Sequence, residues 1–157
     1  MFTPDELSDY LHRHIPVSAA MGVSVASLDW DGIQLAFPLQ PNLNHNATAF
    51  GGSLSSALML AGWSLTHARL RHLGYDTVLV VSRCETRFRS PVEADFESVC
   101  RHEDAAAWEF FRECLDRKGR AKLRVECAVR EAGSDGPAAA SMKGAFVAML
   151  REPVEED

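Results

Sequence analysis

A chain of 157 residues with a formal net charge of −6 has room for one ordinary hydrophobic core and none for a second, so a single domain over residues 1–157 is expected. The acidic balance, with no basic run carrying interleaved aromatics, excludes a general nucleic-acid binder. Four cysteines without metal-ligand spacing, no basic-then-apolar leader and no apolar run of membrane-spanning length point to a reduced, cytoplasmic protein with no metal and no membrane partner.

Residues 3–15 read as a first helix. Thr3 can cap it, Pro4 suits the first turn, Asp5 and Glu6 favour its positive end, and Leu7, Tyr10 and Leu11 form an apolar stripe that stops at Ile15-Pro16. Two alternating runs follow, Val23 to Leu28 and Ile33 to Phe37, joined at Asp31-Gly32, a strong hairpin signal. Pro38 and Pro41 break the pattern, and the stretch Asn44-His45-Asn46-Ala47-Thr48-Ala49-Phe50-Gly51-Gly52-Ser53 opens a long helical segment, Leu54 to Leu73.

The rest of the chain is organised around that segment. Leu54, Ala57, Leu58, Ala61, Leu65 and Ala68 keep the 3.6-residue period, while Met59, Leu60 and Trp63 add apolar surface on the other sides. No Asp or Glu occurs between Asp31 and Asp76, so the spacing predicts a buried central helix. Arg69, Arg71 and His72 stand at its negative end and Gly74 stops it.

Val78 to Phe88 is too β-branched for a helix, and Ser82, Cys84, Thr86 and Phe88 alternate with Arg83, Glu85, Arg87 and Arg89 to give a small or apolar face and a charged one. Phe96 to Arg101, Lys122 to Arg130 and Ser141 to Leu150 are further strands, Ala105 to Leu115 reads equally as helix or strand, and Pro153 to Asp157 is an acidic tail. Helix, strand pair, long helix and a run of antiparallel strands make an α+β domain whose curved antiparallel sheet wraps around the central helix, the hotdog architecture. Its open strand edges imply a homodimer.

Asn44-x-Asn46-x-Thr48-x-Phe50-Gly51-Gly52-Ser53-Leu54, with Trp63 on the helix and Arg87-Phe88-Arg89-Ser90-Pro91 later, resembles the hotdog-fold thioesterases, above all the group also found as the carboxy-terminal half of some acetyltransferase fusions. The resemblance spans nearly the whole chain. It implies hydrolysis of acyl-CoA or acyl-carrier-protein thioesters, as in fatty acid metabolism, by a dimer or a tetramer built as a dimer of dimers, with the acyl chain beside the central helix. No cofactor is implied; coenzyme A enters only as part of the substrate. In the better understood phenylacetyl-CoA type a His precedes the Gly-Gly pair and an acid lies one to two turns along the helix. Here those places hold Phe50 and, near the second, Met59.

Thioester hydrolysis needs a polarised carbonyl and an activated water. The Gly51 and Gly52 amides at a helix amino end suit the first task, unless these glycines only permit a tight turn. For the water the loop offers Asn44, His45, Asn46 and Thr48. His45 is a candidate base or a loop brace, and Asn44 and Asn46 either orient water or form Asx turns. Ser53 fits a helix cap and lacks a His/acid relay that would make it a nucleophile. Glu85 is expected to pair with Arg83 or Arg87 on the outer face. Arg83, Arg87 and Arg89 fit coenzyme A phosphates or a solvated face with ion pairs. An acyl pocket would draw on Leu54, Leu58, Met59 and Trp63 with strand residues such as Phe88, all of which would equally be core in any fold, and Phe50 and Ser53 are further candidate substrate contacts. His67 and His72, at i and i+5, are poorly spaced for a shared metal. Beside the thioesterase stand two other readings: a non-catalytic acyl-CoA or lipid-binding module, favoured by the missing helix carboxylate, and a dehydratase, which needs a His and acid pair that is not readable here.

Overall fold

Thr3 caps the first helix, α1 (Pro4–His14), in a reciprocal pair of bonds: its hydroxyl accepts the Glu6 N–H at 3.2 Å, and the Glu6 carboxylate accepts the Thr3 N–H at 2.8 Å. Those bonds hold the Glu6 carboxyl below its ordinary range. The computed structural model describes residues 1–151; the acidic tail expected over Pro153 to Asp157 lies outside the described residues. Ile15 ends α1 as expected, but Pro16 at once opens a second short helix, α2 (Pro16–Ala20), that the sequence does not announce.

Six strands follow, interrupted by two helices: β1 (Ser24–Leu28), β2 (Gly32–Phe37), α3 (Gly51–His72), β3 (Thr77–Phe88), β4 (Phe96–Arg101), α4 (Ala105–Lys118), β5 (Arg120–Glu131) and β6 (Ala140–Leu150). The strands form one antiparallel sheet in the order β1-β2-β4-β5-β6-β3. Its inner face curves round α3, and α1 lies against β1, where the Val25 N–H donates to Ser8 Oγ at 2.9 Å. The first hairpin differs in detail from the expected Asp31-Gly32 turn. Asp29 Oδ1 accepts the N–H groups of Asp31 and Gly32, both at 2.8 Å, so an Asx turn over residues 29–31 joins the strands and Gly32 already belongs to β2.

The open question over residues 105–115 is decided for helix. Asp104 caps α4 by accepting the Ala107 N–H at 2.9 Å, and Trp108, Phe111 and Leu115 are buried on one side.

Helix α3 is buried along most of its length, and Leu54, Ala57, Leu58, Ala61, Leu65 and Ala68 all lie in the core. Gly62 sets how closely it approaches the sheet: a Cβ there would come within 2.9 Å of Val125 Cγ2, 3.0 Å of Phe146 Cε2 and 3.3 Å of Cys127 Sγ. Cys100 and Cys127 face each other across β4 and β5, and the neighbouring thiol together with burial pushes the Cys127 thiol well above its ordinary value. At the carboxyl end Gly74, with φ of +85°, takes the left-handed conformation that stops the helix.

Strand β3 lies at one edge of the sheet. Arg83, Glu85 and Arg87 occupy its outer face, where Arg87 pairs with Glu85 at 3.2 Å. Val78, Val80 and Val81 are exposed along it. Among the described residues no helix is long and apolar enough to cross a membrane.

An aromatic stack ties α1 to α3. The His67 ring lies 4.5 Å from Trp63 at an interplanar angle of 13°, 4.9 Å from Tyr10 and 6.0 Å from Phe2. Burial, with Arg71 and His14 nearby, lowers the His67 pKa from 6.5 to about 4. A base whose folded pKa is depressed binds fewer protons folded than unfolded between those values, so stability rises with pH across that window. Acidification from pH 6.5 to 4 is expected to remove on the order of 3 kcal/mol through this group. Urea melts of wild type and His67→Phe over that range check it; the variant loses that part of the slope.

Candidate active site

The amino end of α3 is built by a short loop that folds on itself. The Asn44 N–H donates to the Thr48 carbonyl at 2.8 Å, and Asn44 Oδ1 accepts the N–H groups of Asn46 at 2.8 Å and Thr48 at 3.2 Å. Asn44 Nδ2 donates to Thr48 Oγ1 at 2.8 Å. Ala47, with φ of 58°, closes the turn in the left-handed region, a conformation costly for a residue with a Cβ. Asn44 and Thr48 are thus engaged with each other. The side chains of His45 and Asn46 project from the tip, exposed and without a hydrogen bond among the described residues.

A second asparagine, not singled out from the sequence, fixes where the helix begins. Buried Asn42 donates through Nδ2 to the carbonyls of Met21 at 2.9 Å and Pro38 at 2.8 Å, and its own carbonyl accepts the Phe50 N–H at 2.7 Å. Phe50 is therefore the N-cap residue. It supplies no side-chain cap, and Ser53 does not cap either: it stands inside the helix, in the first turn. The correction matters chemically. With no hydroxyl or carboxylate folded over the helix end, the N–H groups of Gly51, Gly52 and Ser53 have no protein acceptor among the described residues.

Two aromatic rings flank those amides. A Cβ on Gly52 would run into the Phe50 ring, and one on Gly51 would sit 3.7 Å from Phe88 Cε1; both rings are 55% exposed. The structure thus gathers Phe50, Gly51, Gly52 and Phe88 at one point; Arg89, next in the chain, turns its Nη1 to Ser141 Oγ at 2.7 Å, and Ser141 is the β6 residue paired with Arg87. Arg87 is not part of this group, since it lies on the opposite face of β3.

Below the helix end, on the same side of α3, is a cavity of about 220 Å³. Of the residues expected at an acyl pocket Met59 and Trp63 line it, with Leu60, Val81 and Phe146, whereas Leu54 and Leu58 are buried in the core and Phe88 stands outside the lining. Three further lining residues are Ile15 and Val17, at the unannounced α2, and Ser56, whose hydroxyl joins the Trp63 indole N–H as a polar group of the wall. Among the described residues no three His, Cys, Asp or Glu side chains cluster closely enough to hold a metal ion.

A family model described as "Putative thioesterase (yiiD_Cterm)" matches residues 4–150. The chain belongs to this family. It is similar to a protein of unknown function from Chlorobaculum tepidum, at 26% identity and TM-score 0.87, over 95% of this chain and 98% of that one. It is similar also to a structure from Shewanella oneidensis described as a putative thioesterase, at 27% identity and TM-score 0.81, over 93% and 96% of the two chains. A thioesterase from Haemophilus influenzae shares the fold at TM-score 0.75 with 9% identity, over 99% and 96%. These three structures thus share the fold of this chain.

Proposed function

We propose that this chain is a single hotdog domain that hydrolyses acyl thioesters, carried by coenzyme A or by an acyl-carrier protein, to free acid and thiol. The observation that carries the reading is the uncapped start of α3, whose free N–H groups stand one turn above an apolar cavity. A thioester oxygen placed at Gly51 and Gly52 accepts those hydrogen bonds, which strengthen as the oxygen becomes an oxyanion, and the helix dipole adds to them. Water adds to the carbonyl carbon, the C–S bond breaks, and the thiolate leaves with a proton. His45 and Asn46 are the loop side chains free to place that water, while Asn44 and Thr48 hold the loop that carries them. Arg89, next to Phe88 in the chain, is the arginine proposed to meet a coenzyme A phosphate, on release from Ser141. The long open edge of β3, with its exposed valines, suits pairing with a second copy in a homodimer or dimer of dimers. The protein is read as cytoplasmic, with its thiols reduced.

Thiol release from acyl-CoAs of increasing length tests this. Wild type is expected to turn over part of the series, and His45→Ala or Asn46→Ala to lose at least about tenfold in kcat, the scale of a positioned acid-base group. Equal, full activity in both variants would remove the loop from the mechanism. The absence of any acid on α3 favours a second reading, a non-catalytic acyl-thioester-binding module. Tight acyl-CoA binding with no turnover is its signature.

A further inference from the structure

We infer that Trp63 is the ruler of the acyl site, setting the length limit of the straight chain that the cavity below Gly52 takes up. The inference rests on the thioesterase reading for what enters the site; the ruler itself follows from packing. Gly52, Ser56, Met59 and Trp63 fall at i, i+4, i+7 and i+11, one continuous stripe of α3. A chain whose carbonyl sits at the Gly52 amide therefore passes Ser56 first and meets Trp63 last, roughly 16 Å further on.

At that point the stripe is closed. The Trp63 indole N–H donates to the Leu79 carbonyl at 2.9 Å, which fixes the ring edge, and its face lies on His67, itself covered by Tyr10. Neither a new rotamer nor a sliding helix is free to lengthen the cavity. Ile15 and Val17 wall it on one side and Val81 and Phe146 on the other, so its contents are apolar apart from what meets the Ser56 hydroxyl near the mouth.

The test uses saturated straight-chain fatty acids of increasing length as probes, so that it depends neither on turnover nor on the thiol carrier. Affinity for wild type is expected to rise about fourfold per methylene while the chain is being buried and to level off once the chain spans the roughly 16 Å from the Gly52 amide to Trp63. Trp63→Leu moves that break outward by about two carbons and Trp63→Phe by about one, and the acyl-CoA hydrolysis profile moves with it. A break that stays in place in either folded variant, a wild-type series with no break, or no fatty-acid binding at all, as when a second copy fills the cavity, overturns the ruler. If no acyl-CoA is hydrolysed yet the break moves with Trp63, the hydrolase reading fails and the ruler stands.

Discussion

Gly52→Val is expected to abolish most turnover while leaving the fold intact, with kcat falling about 100- to 1,000-fold, the usual result of losing one oxyanion donor. The separation of the two effects follows from what surrounds this glycine. Its would-be Cβ runs into the Phe50 ring, and that ring is more than half exposed, so it swings into solvent at little cost. Valine is also a somewhat better helix residue than glycine. Stability therefore changes by less than about 1 kcal/mol. The amide, however, is lost to substrate. A branched side chain over the first turn, or the displaced ring, occupies the space through which a thioester oxygen approaches the Gly52 N–H. Thiol release measured beside a thermal melt decides the matter. A folded variant with undiminished rate would show that the helix end does not polarise the carbonyl.

The same contrast between local and distant causes explains how much of the molecule can be read from its sequence. Helix α3 was legible because its composition is local: apolar and small residues on every side and no acid over its whole length. Strand β4 was legible for the same reason, and its expected span, Phe96 to Arg101, is the observed one. Residues 105–118 were not, because Trp108, Phe110 and Phe111 satisfy neither period cleanly; burial of Trp108, Phe111 and Leu115 against other elements decides for helix. In the site, Gly51, Gly52, Met59 and Trp63 stood out by their positions on one helix. Asn42 did not, since its role depends on the carbonyls of Met21 and Pro38, which the fold alone brings to it. Ile15 and Val17 became cavity wall only because α1 turns a corner at Pro16. Ser53 looked like a cap by residue type, but the bond from the Phe50 N–H to Asn42 starts the helix earlier and places the serine inside it.

Arg69 shows this most clearly, and its replacement carries the largest expected effect on stability. By position it is a basic residue near the negative end of α3, one of several that answer the dipole. In the fold it is 2% exposed, with its guanidinium carbon 4.5 Å from the Trp30 ring centre and 4.0 Å from that of Trp108. Nη1 donates to the His102 carbonyl at 3.3 Å, Nε has no partner among the described residues, and burial lowers the pKa. Among the described residues this buried cation makes no ion pair; two aromatic faces and one carbonyl hold it, with the Asp31 charge acting from nearby, and such contacts strengthen as water is excluded. Those faces belong to the β1–β2 turn and to α4, so the arginine clamps both to the end of the central helix. Arg69→Ala removes the clamp and leaves a cavity between two indoles. The expected loss is about 3 kcal/mol, or a fall in Tm of roughly 10 °C for a chain of this size. Arg69→Met fills much of the space without a charge to bury and should regain part of the loss. Arg69→Lys keeps the charge but not the flat surface that stacks, and should regain less. Thermal melts of the three variants give the ranking Met above Lys above Ala; an alanine variant melting within about 2 °C of wild type would show that the stack contributes little. Activity below the melting range should be unchanged in all three, because the clamp lies about 17 residues, some 25 Å, along the helix from Gly52.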